Sequence, residues 1–125
     1  MTSTDLARIV FEMGFTEDWL HLGMLSNALL AELAADYQSQ PNARPEHYRH
    51  QAFTRFMQQH EVLSPEHFTA LAQLADLDEN PELGNTMWSE LIERKDCPLA
   101  VLVQATQKKS GALQKRALER LQDQA

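Results

Sequence analysis

Ser64-Pro65-Glu66-His67-Phe68-Thr69-Ala70-Leu71-Ala72-Gln73-Leu74-Ala75 and, a few residues later, Asn80-Pro81-Glu82-Leu83 contain two helix starts written in the same grammar. A Ser or Asn side chain accepts from a backbone N–H in the first turn, where the helix has no acceptor of its own. Proline at the first helical position forfeits no hydrogen bond, and its φ is already helical. The glutamate behind it meets the positive end of the helix dipole. After the first start, Phe68, Leu71, Ala72, Leu74 and Ala75 recur at three- and four-residue spacing, which predicts one apolar helix face.

Outward from this stretch the same punctuation continues. Asn80-Pro81 leads into Leu83, Met87, Trp88, Leu91 and Ile92. Gly84-Asn85 has hairpin-turn composition, but the helical spacing on either side discounts it. Asp96-Cys97-Pro98 opens a further helix through Leu99, Leu102, Val103 and Ala105, and Ser110 caps a last one with Leu113, Ala117, Leu118 and Leu121 as its stripe. Toward the N-terminus, Pro45 suits a first helical position before Tyr48, Ala52, Phe53, Phe56 and Met57, with Val62 and Leu63 closing the turn. Residues 38–44, with Pro41 and Asn42, read as a loop. Thr16 caps a long pattern of Trp19, Leu22, Leu25, Leu29, Leu33 and Tyr37, with a break or bend expected near Gly23 or Ser26-Asn27. The first helix spans Thr4 to Met13, with Leu6, Ile9, Val10 and Met13 on one face. Gly14 stands where a left-handed residue ends a helix, and Phe15 supplies the hydrophobic contact. No stretch alternates like a strand. The expected class is all-α, with about seven helices.

The helices repeat one another. Gln51-Ala52-Phe53-Thr54-Arg55-Phe56-Met57 aligns with Thr86-Met87-Trp88-Ser89-Glu90-Leu91-Ile92 at an offset of 35, and Lys115 to Leu121 follows at 30, one position displaced. Apolar residues coincide at Phe53/Trp88/Leu118 and at Phe56/Leu91/Leu121. Leu30-Ala31-Glu32-Leu33-Ala34 resembles Leu71-Ala72-Gln73-Leu74-Ala75 at an offset of 41. Periods of roughly 30–45 residues suit two-helix repeats, and one helix pair buries its second face only against a neighbour. Residues 1–125 are therefore read as a single helical-repeat domain with units at about 16–60, 64–94 and 97–123. The alternative is an irregular helical bundle.

Arg94-Lys95-Asp96-Cys97-Pro98-Leu99-Ala100-Val101-Leu102, followed by Gly111-Ala112-Leu113-Gln114-Lys115-Arg116-Ala117, resembles the leucine-rich-variant and HEAT-like repeats. Those carry a Cys/Thr-Pro helix start, a valine-leucine pair and an arginine-rich second helix ending in alanine. The likeness covers residues 94–121. It is looser over 64–92, where Ser64 takes the place of Cys/Thr, and fades before residue 60. The resemblance implies antiparallel helical hairpins stacked as a short right-handed HEAT-like solenoid that binds macromolecules by its surface. Its motifs specify packing and carry no chemistry.

A chain of 125 residues is one domain of ordinary size, and a hydrophobic fraction of 43% suffices for a core without metal or disulfide. Cys97 is the only cysteine, so no intramolecular disulfide forms. Met1-Thr2-Ser3-Thr4-Asp5 lacks a basic region leading into an apolar run, and nothing approaches the ~18 consecutive apolar residues of a membrane span. A cytosolic protein with no membrane partner is expected. The net charge of −7 is uneven. Residues 108–120 hold Lys108, Lys109, Lys115, Arg116 and Arg120 against Glu119 alone, so a +4 stretch stands against −11 elsewhere.

Candidate chemistry is thin. His47 and His50, one turn apart beside Glu46, have zinc-ligand spacing, with His60 and His67 as the only further histidines nearby; a solvated helix face is the simpler reading. Asp76-Leu77-Asp78-Glu79-Asn80 begins like a calcium loop, but Pro81 and Met87 occupy the positions of the required glycine and glutamate. Cys97 lacks any signature of a base and reads as a small capping residue. No phosphate-binding loop or hydrolase motif is present. The sequence thus assigns no catalytic, metal or cofactor site, and the chain is expected to be no enzyme. What stands out is the basic C-terminal stretch. The expected interaction surface comprises Arg49, Arg55, Trp88, Lys108, Lys109, Lys115, Arg116 and Arg120. The expected function is that of a non-enzymatic protein–protein interaction module, an adaptor, inhibitor or immunity-type protein, with an acidic protein as partner. The alternative is nucleic-acid binding through the basic helix, which an acidic chain without interleaved aromatic residues favours less. Helix one, with Ile9, Val10 and Phe11 together, is too apolar for a clean end cap, which leaves a homodimer open.

Overall fold

The computed structural model describes residues 3–21 and 25–123. It is all-α, with no strand among the described residues. Eight helices run in order: α1 (Ser3–Glu12), α2 (Glu17–His21), α3 (Asn27–Ser39), α4 (Pro45–Gln59), α5 (Pro65–Leu77), α6 (Pro81–Glu93), α7 (Leu99–Ala105) and α8 (Gly111–Asp123). The count exceeds the expected seven because the long second pattern is two helices. The Ser26 hydroxyl accepts from the Leu29 N–H at 3.1 Å and gives α3 a start of its own. Gly23, the other expected break, and Leu22 of the expected stripe lie outside the described residues. The chain divides into two compact units, Met1–Gln59 and His60–Ala125.

In the first unit α1 ends as the Gly14-Phe15 pair predicts. Gly14 has φ +87°, its N–H donates to the Phe11 carbonyl (2.9 Å), and the Phe15 N–H donates to that of Val10 (3.3 Å). These two bonds form a Schellman closure, and it requires a residue with no Cβ penalty at Gly14. Phe15 then packs edge-on against Trp19, centroids 5.2 Å apart, and both are buried. α1 packs on α3, and α3 on α4. Ile9, Met13, Leu33, Tyr48 and Phe53 are fully buried between them, each worth roughly 1.5–3 kcal/mol of burial.

In the second unit both quoted helix starts form. The Ser64 hydroxyl accepts from the His67 N–H (3.1 Å), while the Ser64 N–H reaches back to His67 Nδ1 (3.4 Å), a capping box closed by histidine. The Asn80 side chain accepts from the N–H groups of Glu82 and Leu83. Gly84 sits inside α6, so the discounted hairpin is absent there. A Cβ on Gly84 would stand 2.5 Å from the Ala75 carbonyl oxygen, and glycine therefore lets α6 approach the α5 backbone. α7 is the shortest start, with Pro98 at the cap position and no side-chain cap bond. α5 packs on α6 and α7 on α8, while α6 also meets α7 and α8. Phe68, Leu71, Met87, Leu91, Ile92 and Leu102 form the interior.

Candidate interaction surface

Helix ends, turns and the basic C-terminal stretch hold nearly all of the charge chemistry in the second unit. α6 ends at Glu93 and leaves carbonyl groups without intrahelical donors. Arg120 on α8 supplies them: its Nε donates to the Ile92 carbonyl and its Nη2 to that of Arg94, both at 2.9 Å. Arg116, one turn earlier, makes a two-pronged ion pair with Glu93 and a further contact with Glu119 at 3.1 Å. The Arg116 guanidinium holds the Glu93 carboxyl below its ordinary range. Lys108 points its ammonium at Asp76 Oδ1 (2.6 Å) and lies 4.5 Å above the Trp88 ring, a cation–π distance. The Trp88 indole N–H donates to the same Asp76 oxygen at 2.8 Å. Among the described residues, Lys109 and Lys115 have no ion-pair partner, and both are exposed.

The basic stretch therefore divides. Lys108, Arg116 and Arg120 tie α8 and its entry loop to α5 and α6, whereas Lys109 and Lys115 face solvent. Two other expected surface residues are corrected by burial. Arg49 is 2% exposed, and its Nη1 donates to the Met13 carbonyl at 2.9 Å, at the end of α1. The absence of a Cβ on Gly14 makes room for that guanidinium, which would otherwise meet it at 2.4 Å. Trp88 is also 2% exposed and belongs to the core, with only its indole N–H used for polar contact. Arg55 stays at the surface of the first unit, paired side-on with Glu32 at 3.0 and 3.1 Å, which holds the Glu32 carboxyl below its usual range.

An arginine that the sequence did not single out organises the turns of the second unit. Arg94 donates to the carbonyls of His60 (3.0 Å) and Glu61 (3.1 Å) and pairs with Asp96 (2.9 Å). Asp96 in turn accepts from the Leu63 N–H at 2.7 Å. The Arg94 pair keeps Asp96 below the usual carboxylate range, against the burial that would raise it. Cys97, expected to cap α7, leaves that position to Pro98, and the carboxylate of Asp96 beside it caps a different turn.

The apolar pattern of α7 is also corrected. Val101, Leu102 and Ala105 are buried, but Leu99 (56% exposed) and Val103 (46%), both expected in the inward stripe, face outward. Five apolar or small residues in succession, Leu99 to Val103, give periodicity no polar face to mark. On α8, Leu118 is 52% exposed, so it does not share the buried position of Phe53 and Trp88 with which the repeat alignment matched it.

The remaining candidates are placed as follows. His47 lies at the surface, its Nε2 2.8 Å from the Gln51 amide and its ring edge-on to Tyr48. Among the described residues no three His, Cys, Asp or Glu side chains gather as a metal site would need. Cys97 is buried, and burial pushes its thiol up to about 11, away from the thiolate a nucleophile needs. An open cleft of about 450 Å³ lies beside Asp36, Arg44, His47 and Tyr48 in the first unit. No described helix is long and apolar enough to cross a membrane. No family model, no curated protein and no solved structure matches the chain.

Proposed function

We propose that the chain is a non-enzymatic protein-interaction module, of adaptor, inhibitor or immunity type, whose helices form a short right-handed HEAT-like solenoid of antiparallel hairpins. The packing of α5 on α6 and α7 on α8, with α6 meeting both later helices, supports the stacked reading, since a solenoid is built from nearest-neighbour contacts. The observation that carries the binding role is the division of the basic stretch. Charges that only held the fold would be paired, as Lys108, Arg116 and Arg120 are. Lys109 and Lys115 have no such task, and Lys115 stands one turn before the exposed Leu118 on α8. Nucleic-acid binding is the second reading, and the same division weakens it. Two outward lysines neutralise about two phosphates and give a shallow salt dependence.

The test uses the purified chain immobilised and exposed to extract of its native host. Stoichiometric retention of a protein that is lost on Lys109→Glu with Lys115→Glu supports the proposal. Unchanged retention by that variant refutes this surface. Retention of DNA or RNA at low salt, without protein, favours the second reading.

A further inference from the structure

The first unit holds an open cleft of about 450 Å³ at the corner between α3 and α4. Two exposed charges of opposite sign border it. Asp36 comes from the last turn of α3, and Arg44 immediately precedes α4. Between them the Ala43 N–H donates to the Gln40 carbonyl (3.3 Å), which folds the connection into a turn. Among the described residues neither Asp36 nor Arg44 has an ion-pair partner, so the two do not neutralise each other. The hydroxyl of the buried Tyr48 donates to Asp36 Oδ2 at 2.7 Å, while Oδ1 accepts no hydrogen bond among the described residues. Glu32, one turn earlier on α3, is already paired with Arg55 at 3.0 Å. The rings of His47 and Tyr48, edge-on with centroids 5.4 Å apart, and the carbon atoms of Pro41 and Ala43 give the lining apolar surface as well.

We propose that this cleft binds a small zwitterion, a free amino acid with an apolar side chain. Its carboxylate meets the Arg44 guanidinium, its ammonium meets Asp36 Oδ1, and its side chain lies along the His47 and Tyr48 rings. An arginine takes a carboxylate side-on through two N–H groups. The ammonium gives Asp36 the cation that Lys108 gives Asp76 in the second unit. Charge selects the class of ligand. A plain anion is repelled by Asp36 and a plain cation by Arg44, whereas a molecule with both signs is attracted at both ends. The size agrees, since small-molecule sites run from roughly 300 to 1,000 Å³. The bond from Tyr48 orients the carboxylate before the ligand arrives, which lowers the ordering cost of binding. The site uses none of the lysines of α8 and does not rest on the protein-binding reading.

The full chain is titrated by calorimetry with L-leucine and with L-phenylalanine. Two blocked probes follow: N-acetyl-L-leucine, which lacks the ammonium, and L-leucinamide, which lacks the carboxylate. The expected result is binding of the free amino acids that weakens at least about tenfold in either blocked form. Arg44→Ala should weaken leucine binding about tenfold without weakening that of leucinamide. Asp36→Asn keeps an acceptor for the Tyr48 hydroxyl, and should weaken leucine binding about tenfold without weakening that of N-acetyl-leucine. Arg44 is exposed, so Arg44→Ala is expected to fold as the parent does, and helical content with Trp19 emission checks both variants. Binding of neither amino acid at about 10 mM overturns the inference. So does equal binding of the blocked forms, or leucine binding that survives both substitutions.

Discussion

Each unit contains a buried ring whose one polar atom is aimed at an aspartate twelve residues earlier. In the first, the Tyr48 hydroxyl donates to Asp36 Oδ2 at 2.7 Å; in the second, the Trp88 indole donates to Asp76 Oδ1 at 2.8 Å. A large ring brings much apolar area into a core, but its N–H or O–H still needs an acceptor there. An aspartate on the preceding helix, at the core margin, meets that need in both units. The surroundings then differ. Lys108 covers the Asp76–Trp88 contact with a charge. Tyr48 is flanked instead by the rings of Tyr37 and His47, at 5.6 and 5.4 Å, and Asp36 borders the open cleft with Arg44. Burial first, and then the Asp36 bond, push the Tyr48 hydroxyl up to about 12, so it remains a donor at neutral pH. The same local solution thus serves the core in both places, and the neighbouring side chains decide whether the aspartate is paired with a cation.

The units also share arginine as the group that satisfies helix-end carbonyls, but at different depth. Arg49 does this while buried, on Met13; Arg94 and Arg120 do it at the margin of the second unit. The largest expected effect follows from that depth. Arg49→Ala strips the Met13 carbonyl of its donor and empties the space of a long side chain, and it should destabilise the first unit by about 3–4 kcal/mol. Chemical denaturation followed through Trp19, in a Trp88→Phe background, reads that unit alone, since each unit has one of the two tryptophans. A loss below about 1 kcal/mol would mean that the buried contact contributes little to the fold.

Asp96→Asn is expected to cost the second unit about 1–2 kcal/mol, through the Arg94 pair and the Leu63 cap. Its pH dependence has a definite sign. The folded carboxyl titrates below its unfolded counterpart, so its contribution is full above the ordinary carboxylate range and is lost as pH falls through the lower, folded value. The Asn variant should therefore flatten the acid limb of stability read through Trp88. A limb as steep as before would assign the acid sensitivity elsewhere.

Lys108→Met is the smallest of these changes, about 0.5–1 kcal/mol, because the cation–π contact and the ion pair are both partly solvated. Its sharper signature is spectroscopic: Trp88 emission should shift when the ammonium above the ring is removed, while Trp19 emission stays unchanged. A spectrum indifferent to Lys108 would break the contrast drawn between Asp76 and Asp36.

Local grammar was legible wherever one residue settles a backbone need. Ser64, Asn80, Pro65 and Pro81 place helix starts, and Gly14 places a helix end, because capping and φ are decided within a few residues. Long-range decisions were not legible. Arg49 reads as a surface base until α1 supplies the carbonyl that holds it. Helical spacing already puts Gly84 inside a helix, but not Ala75 against it. Leu99 and Val103 fall in an apolar run with no polar marker, so packing against α8 and α6 chose which residues turn inward. The charge of 108–120 was visible as a total, but its division between structural and outward groups depends on Asp76, Glu93 and the end of α6, all distant in sequence.

That division is the claim on which the functional reading stands, and stability of two charge-removal variants tests it most directly. Arg120→Ala should lower unfolding free energy by about 1–2 kcal/mol, as two carbonyls lose their donor. Lys109→Ala with Lys115→Ala should leave it within about 0.5 kcal/mol of the parent chain. Comparable losses in both would show that the outward lysines also serve the fold, and would contradict the account.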